Sequence, residues 1–240
     1  MPHFKHGQKT RIVNTARGGA VRMDTSSEGM ANMQSFERYS AQDIGTIAAA
    51  CAQDYATFKR AALVCMLSAR RPFAIVGDVV RDVEINGADR SRWPSAAQKR
   101  GVAWLESGQG KALWVLLTAN DAVRRDAKVA LALATQCPAL GLAKGGFLCQ
   151  MVGIDVGCLD THNIDKYELP RDALRLRKEG AAATKARAIN AYVALCDRLG
   201  GSAFLWGAWC EYVADLYPDV YASGRDVSAR HVAYVNGIPF

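Results

Sequence analysis

No stretch of the 240 residues carries enough consecutive apolar side chains to cross a bilayer. No secretory apolar segment follows the N-terminus either, so the chain is expected to be soluble and intracellular. Cysteines at Cys-x-x-Cys spacing are missing, and the seven present are odd in number, which argues against a disulfide framework. Cys51, Cys65, Cys137, Cys149, Cys158, Cys196 and Cys210 fall mostly in apolar stretches and read as reduced core residues. His and Cys never gather at metal-ligand spacing, so no metal is expected. There is no internal repeat. Acidic residues are absent until Asp24, whereas Lys5, Lys9, Arg11, Arg17 and Arg22 precede it. With no sustained apolar period, residues 1–35 read as a basic, flexible tail, and phosphate contact is its functional alternative.

Half of the residues are hydrophobic and the formal charge is +7. A chain of this length can bury a sizeable core. The basic balance favours a polyanionic partner without identifying one. Apolar periodicity predicts a mostly α fold. A helix is expected from about Tyr39 to Cys51, with Ser40 as N-cap and Asp43 as its capping-box partner. Others are expected over 55–69, 73–83, 96–106 and 111–119, and from Asn120 or Asp121 to about Gln136. The segment 84–95 reads as a polar loop and 107–110 as a turn. A helix over 181–199 should end at Gly200-Gly201. Ser202 starts the last clear helix, which Pro218 closes.

The informative stretch is Cys137-Pro138-Ala139-Leu140-Gly141-Leu142-Ala143-Lys144-Gly145-Gly146-Phe147. It reads as helix, tight turn and helix, with small residues where two helices approach closely. Free backbone N–H groups after Gly141, at the positive end of a helix dipole, suit one phosphate and position a duplex without reading its sequence.

This stretch resembles the hairpin of the helix-hairpin-helix DNA glycosylases, the superfamily of endonuclease III and the 8-oxoguanine glycosylase, written Leu-Pro-Gly-Val-Gly-x-x-x-Ala. Val156-Gly157-Cys158-Leu159-Asp160-Thr161-His162 is similar to the family's segment bearing the essential aspartate, and Asp160 follows Gly141 by nineteen residues. Met66-Leu67-Ser68-Ala69-Arg70 is similar to the family's Leu-Leu-Ser-Ala-Gln helix end, 71 residues before Gly141. The resemblance implies a two-lobed helical fold with the active-site cleft between the lobes. Residues 61–155 would form one lobe, ending in the hairpin, and 36–60 plus 156–240 the other. It implies a monomer acting on double-stranded DNA with a flipped base, and Asp160 and Lys144 as catalytic residues. Ala139, Leu140, Gly141, Ala143, Gly145, Arg70 and Arg71 would contact DNA; Arg70 would fill the gap in the duplex and Arg71 meet phosphate.

The chain departs from the family in three places. Ala139 replaces the hairpin's first glycine. The lysine of the bifunctional members stands where this chain has Ala143, and one residue rotates a helical side chain by about 100°. Either the turn holds an extra residue that brings Lys144 into register, or Lys144 faces elsewhere and the enzyme lacks lyase activity. The iron–sulfur loop of endonuclease III has no counterpart, since only Cys196 and Cys210 follow Cys158; no cofactor is expected.

Other residues carry two readings. Asp160 also suits a helix cap. His162, Trp206 and Trp209 fit either a base pocket or structural packing. Arg171, Arg175, Arg177, Lys178, Lys185 and Arg187 would track a phosphate strand or form a solvated face. The competing functions are a DNA-binding protein without chemistry, and an enzyme acting on hypermodified thymine in viral DNA.

Overall fold

A computed structural model describes residues 10–14, 20–24, 27–166, 169 and 182–238. Within the segment expected to be a tail, strands β1 (Thr10–Asn14) and β2 (Ala20–Asp24) pair antiparallel, with Ile12 opposite Arg22. The remaining regular structure is helical. It comprises α1 (Ser27–Gln53), α2 (Tyr55–Leu67), α3 (Val76–Asn86), α4 (Ala96–Glu106), α5 (Gly108–Ala119) and α6 (Asp121–Arg125). There follow α7 (Ala127–Ala134), α8 (Leu142–Met151), α9 (Thr161–Lys166), α10 (Ala182–Arg198), α11 (Gly201–Leu216) and α12 (Gly224–Asn236). The mostly α expectation holds, and Phe73–Val83 is helical as read, through a 3-10 turn (Phe73–Ile75) leading into α3.

Local chemistry sets the breaks. Asp54 caps α2 by accepting from the Thr57 N–H at 2.9 Å. Ser95 and Gln98 form a reciprocal capping box that opens α4. Ser107 ends α4 and caps α5 at once, so the turn expected at 107–110 shrinks to one residue. Asn120 caps as anticipated, but Asp126 accepts from Lys128 and Val129 and starts a new helix, splitting the single helix expected from 120 to 136. Gly200, with φ of +108°, ends α10 at the predicted place.

Two expectations at the ends of the chain are corrected. The first long helix begins at Ser27 rather than near Tyr39, so Ser40 is a buried mid-helix residue and not an N-cap. Asp43, expected to complete its capping box, accepts instead from Ser228 Oγ of α12 at 2.7 Å. Gly, Ser, Thr and Asn are frequent up to residue 35, which placed the start of this helix within the stretch read as a tail. Likewise α11 is not the last helix. Ser223 and Asp226 form a capping box that opens α12, whose C-cap is Gly237 at φ +70°.

One contiguous buried cluster runs from Ile44 in α1 to Val235 in α12. Helices α1 and α2 pack against α12, and α1 also against α11, while α8 lies against α1, α2 and α7. All seven cysteines are buried and free, as read. Desolvation pushes the Cys149 thiol well up, and those of Cys51, Cys137, Cys158 and Cys196 up to about 12. No helix among the described residues is long and apolar enough to cross a membrane.

Candidate functional site

The hairpin is built as a tight turn. Leu140 N–H donates to Cys137 O at 3.1 Å, closing a turn over Pro138 and Ala139. Ala139, which stands where the resembling hairpin has its first glycine, takes φ of +69°, in the left-handed region that favours glycine. Gly141 is the N-cap of α8 and has no side chain to offer, so the first N–H groups of α8 gain no side-chain cap. Ala139, Leu140 and Gly141 line one cavity of about 910 Å³ together with Arg100, Lys128 and Lys185.

Helix α8 then points one face into a second cavity, of about 640 Å³. Ala143, Lys144, Phe147 and Gln150 all line it, at i, i+1, i+4 and i+7 of a single helical stripe. Lys144 Nζ donates to Ser68 Oγ at 3.0 Å and lies 5.3 Å from the Phe147 ring centroid. The lysine is thus turned into the cavity although it stands one residue beyond the family position. Leu142, two residues earlier, is buried in the core instead, which fixes the rotation of the helix.

Asp160 lines the same cavity. It precedes α9 and caps it, Oδ1 accepting from Asn163 N–H at 3.3 Å. The approach to Asp160 is held from both sides. Tyr192 of α10 donates to Gly157 O at 2.9 Å and accepts from Leu159 N–H at 2.7 Å. Asn163 Nδ2 donates to Cys158 O at 2.7 Å. This segment runs directly against α8: a Cβ on Gly146 would sit 2.6 Å from Gly157 O. Glycine at 146 therefore sets the separation between the helix bearing Lys144 and the strand of chain bearing Asp160.

The cavity's third wall comes from the end of α2 and from α11. Arg70, at φ +60°, is exposed at its edge. Arg71 is committed internally, donating to Leu67 O at 2.6 Å and to Trp93 O. That geometry pins the turn after α2 rather than extending a guanidinium outward. Trp206 is 2% exposed, stacks with Trp209 at 5.1 Å, and donates its indole N–H to Ser228 Oγ at 2.8 Å. Ser228 in turn donates to Asp43, so the ring's orientation is locked to α1. Beneath this layer His231 is fully buried, 4.7 Å from Trp206 and 5.3 Å from Phe147 by ring centroids. Burial, helped by the charge of Lys144, lowers its pKa to about 3, so its imidazole is neutral.

The residues singled out by sequence thus divide. Lys144, Asp160, Ala143, Arg70, Arg71, Trp206 and Trp209 converge on one cavity, and Ala139, Leu140 and Gly141 on the other. Gly145 lines neither; a Cβ there would sit 3.1 Å from Thr135 Cγ2, so it serves the approach of α8 to α7. The side chain of His162 and residues Arg171, Arg175, Arg177 and Lys178 lie outside the described parts. Sequence reasoning missed Ser68, Phe147, Gln150, Asn163 and Tyr192. Phe147 and Gln150 were accessible through the helical period from Lys144. Tyr192 gave no local signal, being one of several apolar-face residues of α10. Comparison with known proteins gives no match to this chain, whether to a protein family, a characterised protein or a solved structure.

Proposed function

We propose that the protein is a DNA glycosylase that draws a base out of the duplex into the cavity holding Lys144 and Asp160, between the two helical lobes that the hairpin resemblance implies. The observation that carries this reading is the convergence of an amine and a carboxylate on one cavity with aromatic walls. The second cavity complements it. An N-terminus of α8 without a side-chain cap, beside Arg100, Lys128 and Lys185, suits a phosphate of the same duplex.

In this mechanism the C1′–N bond of the everted nucleoside breaks and its electron pair leaves with the base. Positive charge develops on the sugar, and the Asp160 carboxylate opposes it. Lys144, once deprotonated, attacks C1′ through its lone pair; opening of the sugar ring yields a Schiff base, and loss of a C2′ proton then expels the 3′ phosphate. Without attack by Lys144, water takes its place and the DNA strand stays intact.

The test is to incubate the protein with duplexes bearing 8-oxoguanine, thymine glycol, uracil or 5-hydroxymethyluracil, then heat in alkali. Strand breaks at one of these bases, lost in Asp160→Asn, are expected. No base release from any duplex would sink the enzymatic reading. Salt-sensitive duplex binding without release would identify a DNA-binding protein instead. Borohydride trapping separates the lyase: an adduct absent from Lys144→Ala assigns the nucleophile.

A further inference from the structure

Gln150 presents a buried acceptor that no described residue uses. Its side chain lines the cavity of Lys144 and Asp160 and is 1% exposed. Nε2 donates to Ser202 O at 2.6 Å, and Ser202 is itself held by its N–H donating to Asp155 Oδ1 at 2.7 Å. The amide is therefore fixed in one orientation, because turning it over would set Oε1 against the Ser202 carbonyl. Oε1 has no hydrogen-bond partner among the described residues. Leaving a buried acceptor unpaired is costly, and such groups mark sites where a ligand completes the bonding.

We propose that Gln150 is a specificity-determining residue whose Oε1 accepts a hydrogen bond from an N–H on the far edge of the everted base. The ligand class is a base with a ring N–H there, such as N3–H of a uracil-type pyrimidine or N1–H of an oxidised guanine. The inference rests on the reading that a base enters this cavity. Its geometry follows from α8. Gln150 stands six residues beyond Lys144, about 9 Å along the helix. That spacing leaves room for a base whose sugar faces the amine while its opposite edge meets the amide. Phe147 lies between them on the same stripe, and Trp206, with its ring 5.8 Å from Phe147, supplies an apolar wall for the base. A base with a methyl group in place of the ring N–H would leave Oε1 unpaired and place a carbon against it.

Binding decides this without requiring turnover. The full-length protein is titrated by fluorescence anisotropy, at one fixed salt concentration, with duplexes containing 5-hydroxymethyluracil or 8-oxoguanine on uncleavable 2′-fluoro sugars. The comparison duplexes carry N3-methyl-5-hydroxymethyluracil, N1-methyl-8-oxoguanine, or a tetrahydrofuran abasic site. Wild-type protein is expected to favour at least one unmethylated base over its methylated counterpart by roughly tenfold. Gln150→Leu should lose that preference while keeping its affinity for the tetrahydrofuran duplex. Equal wild-type affinity within both methylated and unmethylated pairs overturns the proposal, as does a preference that survives in Gln150→Leu. Should Gln150→Leu fail to fold, the wild-type comparison decides alone. Base release is a separate readout: a protein that excises nothing but keeps the N–H preference loses the glycosylase reading and retains this one.

Discussion

Lys144 Nζ and Ser68 Oγ meet at 3.0 Å, joining the hairpin helix to the end of α2. Ser68 Oγ also donates to Cys65 O at 3.0 Å, so the hydroxyl proton is spent and its lone pairs face the amine. The serine therefore holds the amine in place as an acceptor. Ser68→Ala is expected to slow borohydride trapping by about tenfold, a loss of the size of one hydrogen bond to a charged group, while Lys144→Ala abolishes it. Equal trapping in Ser68→Ala and wild type would show that the amine needs no such support.

Asp160 caps α9 and, in the proposed reaction, would also oppose the developing cation, two roles that substitutions can pull apart. Asn caps a helix as well as Asp does, but it carries no charge to oppose a developing cation. Asp160→Asn is therefore expected to keep the wild-type melting temperature while losing about 10²- to 10³-fold in single-turnover base release. Asp160→Ala should lose the same activity and in addition about 1 kcal/mol of stability, read by urea denaturation, because the Asn163 N–H loses its acceptor. A destabilised Asp160→Asn would mean that the charge, not the cap, anchors α9.

Much of this arrangement was legible in the sequence, and the limits have physical causes. The hairpin, the Met66–Arg70 helix end and the Asp160 segment are local patterns, and each forms a wall or edge of the cavities. The rotation of α8 was not legible. Counting from the hairpin glycine left Lys144 one position out of register, whereas burial of Leu142 and the close approach of Gly146 to Gly157 O set the helix with Lys144 inward. That rotation depends on Tyr192 and the 157–159 backbone, far from the hairpin in sequence. Helix α12 was missed because its opening is polar and its buried face includes Ser228 and His231, which carry no apolar period.

Ala139 stores strain at the hairpin. An L-residue in the left-handed region costs roughly 1–2 kcal/mol, and glycine removes that cost while adding up to about 1 kcal/mol of unfolded-state entropy. Ala139→Gly is expected to stabilise the protein by a few tenths to about 1 kcal/mol, a rise of about 1–4 °C in melting temperature for a chain of this size. Calorimetry on the two proteins measures it. A lower melting temperature in Ala139→Gly would show that the alanine methyl makes packing contacts worth more than the strain.

His231 ties stability to pH beneath the cavity. Its Nε2 lies 2.9 Å from Met151 Sδ, and Nδ1 has no partner among the described residues, so no neighbour stabilises an added proton. Folding lowers its pKa from 6.5 to about 3, first through burial and then through the charge of Lys144. Above pH 6.5 both folded and unfolded chains hold the ring neutral, and the histidine contributes no pH dependence. Between pH 6.5 and about 3 the unfolded chain binds a proton that the folded chain refuses, so stability falls with acidification by up to about 1.4 kcal/mol per pH unit. His231→Phe keeps a ring among Phe73, Phe147 and Trp206 and removes the titrating group. Urea denaturation at pH 7, 6, 5 and 4 should therefore show a shallower loss for His231→Phe than for wild type, with the gap opening only below pH 6.5. Parallel pH profiles for the two proteins would show that His231 takes up its proton in the folded state, which would require the ring to reach water or a carboxylate through movement of α12.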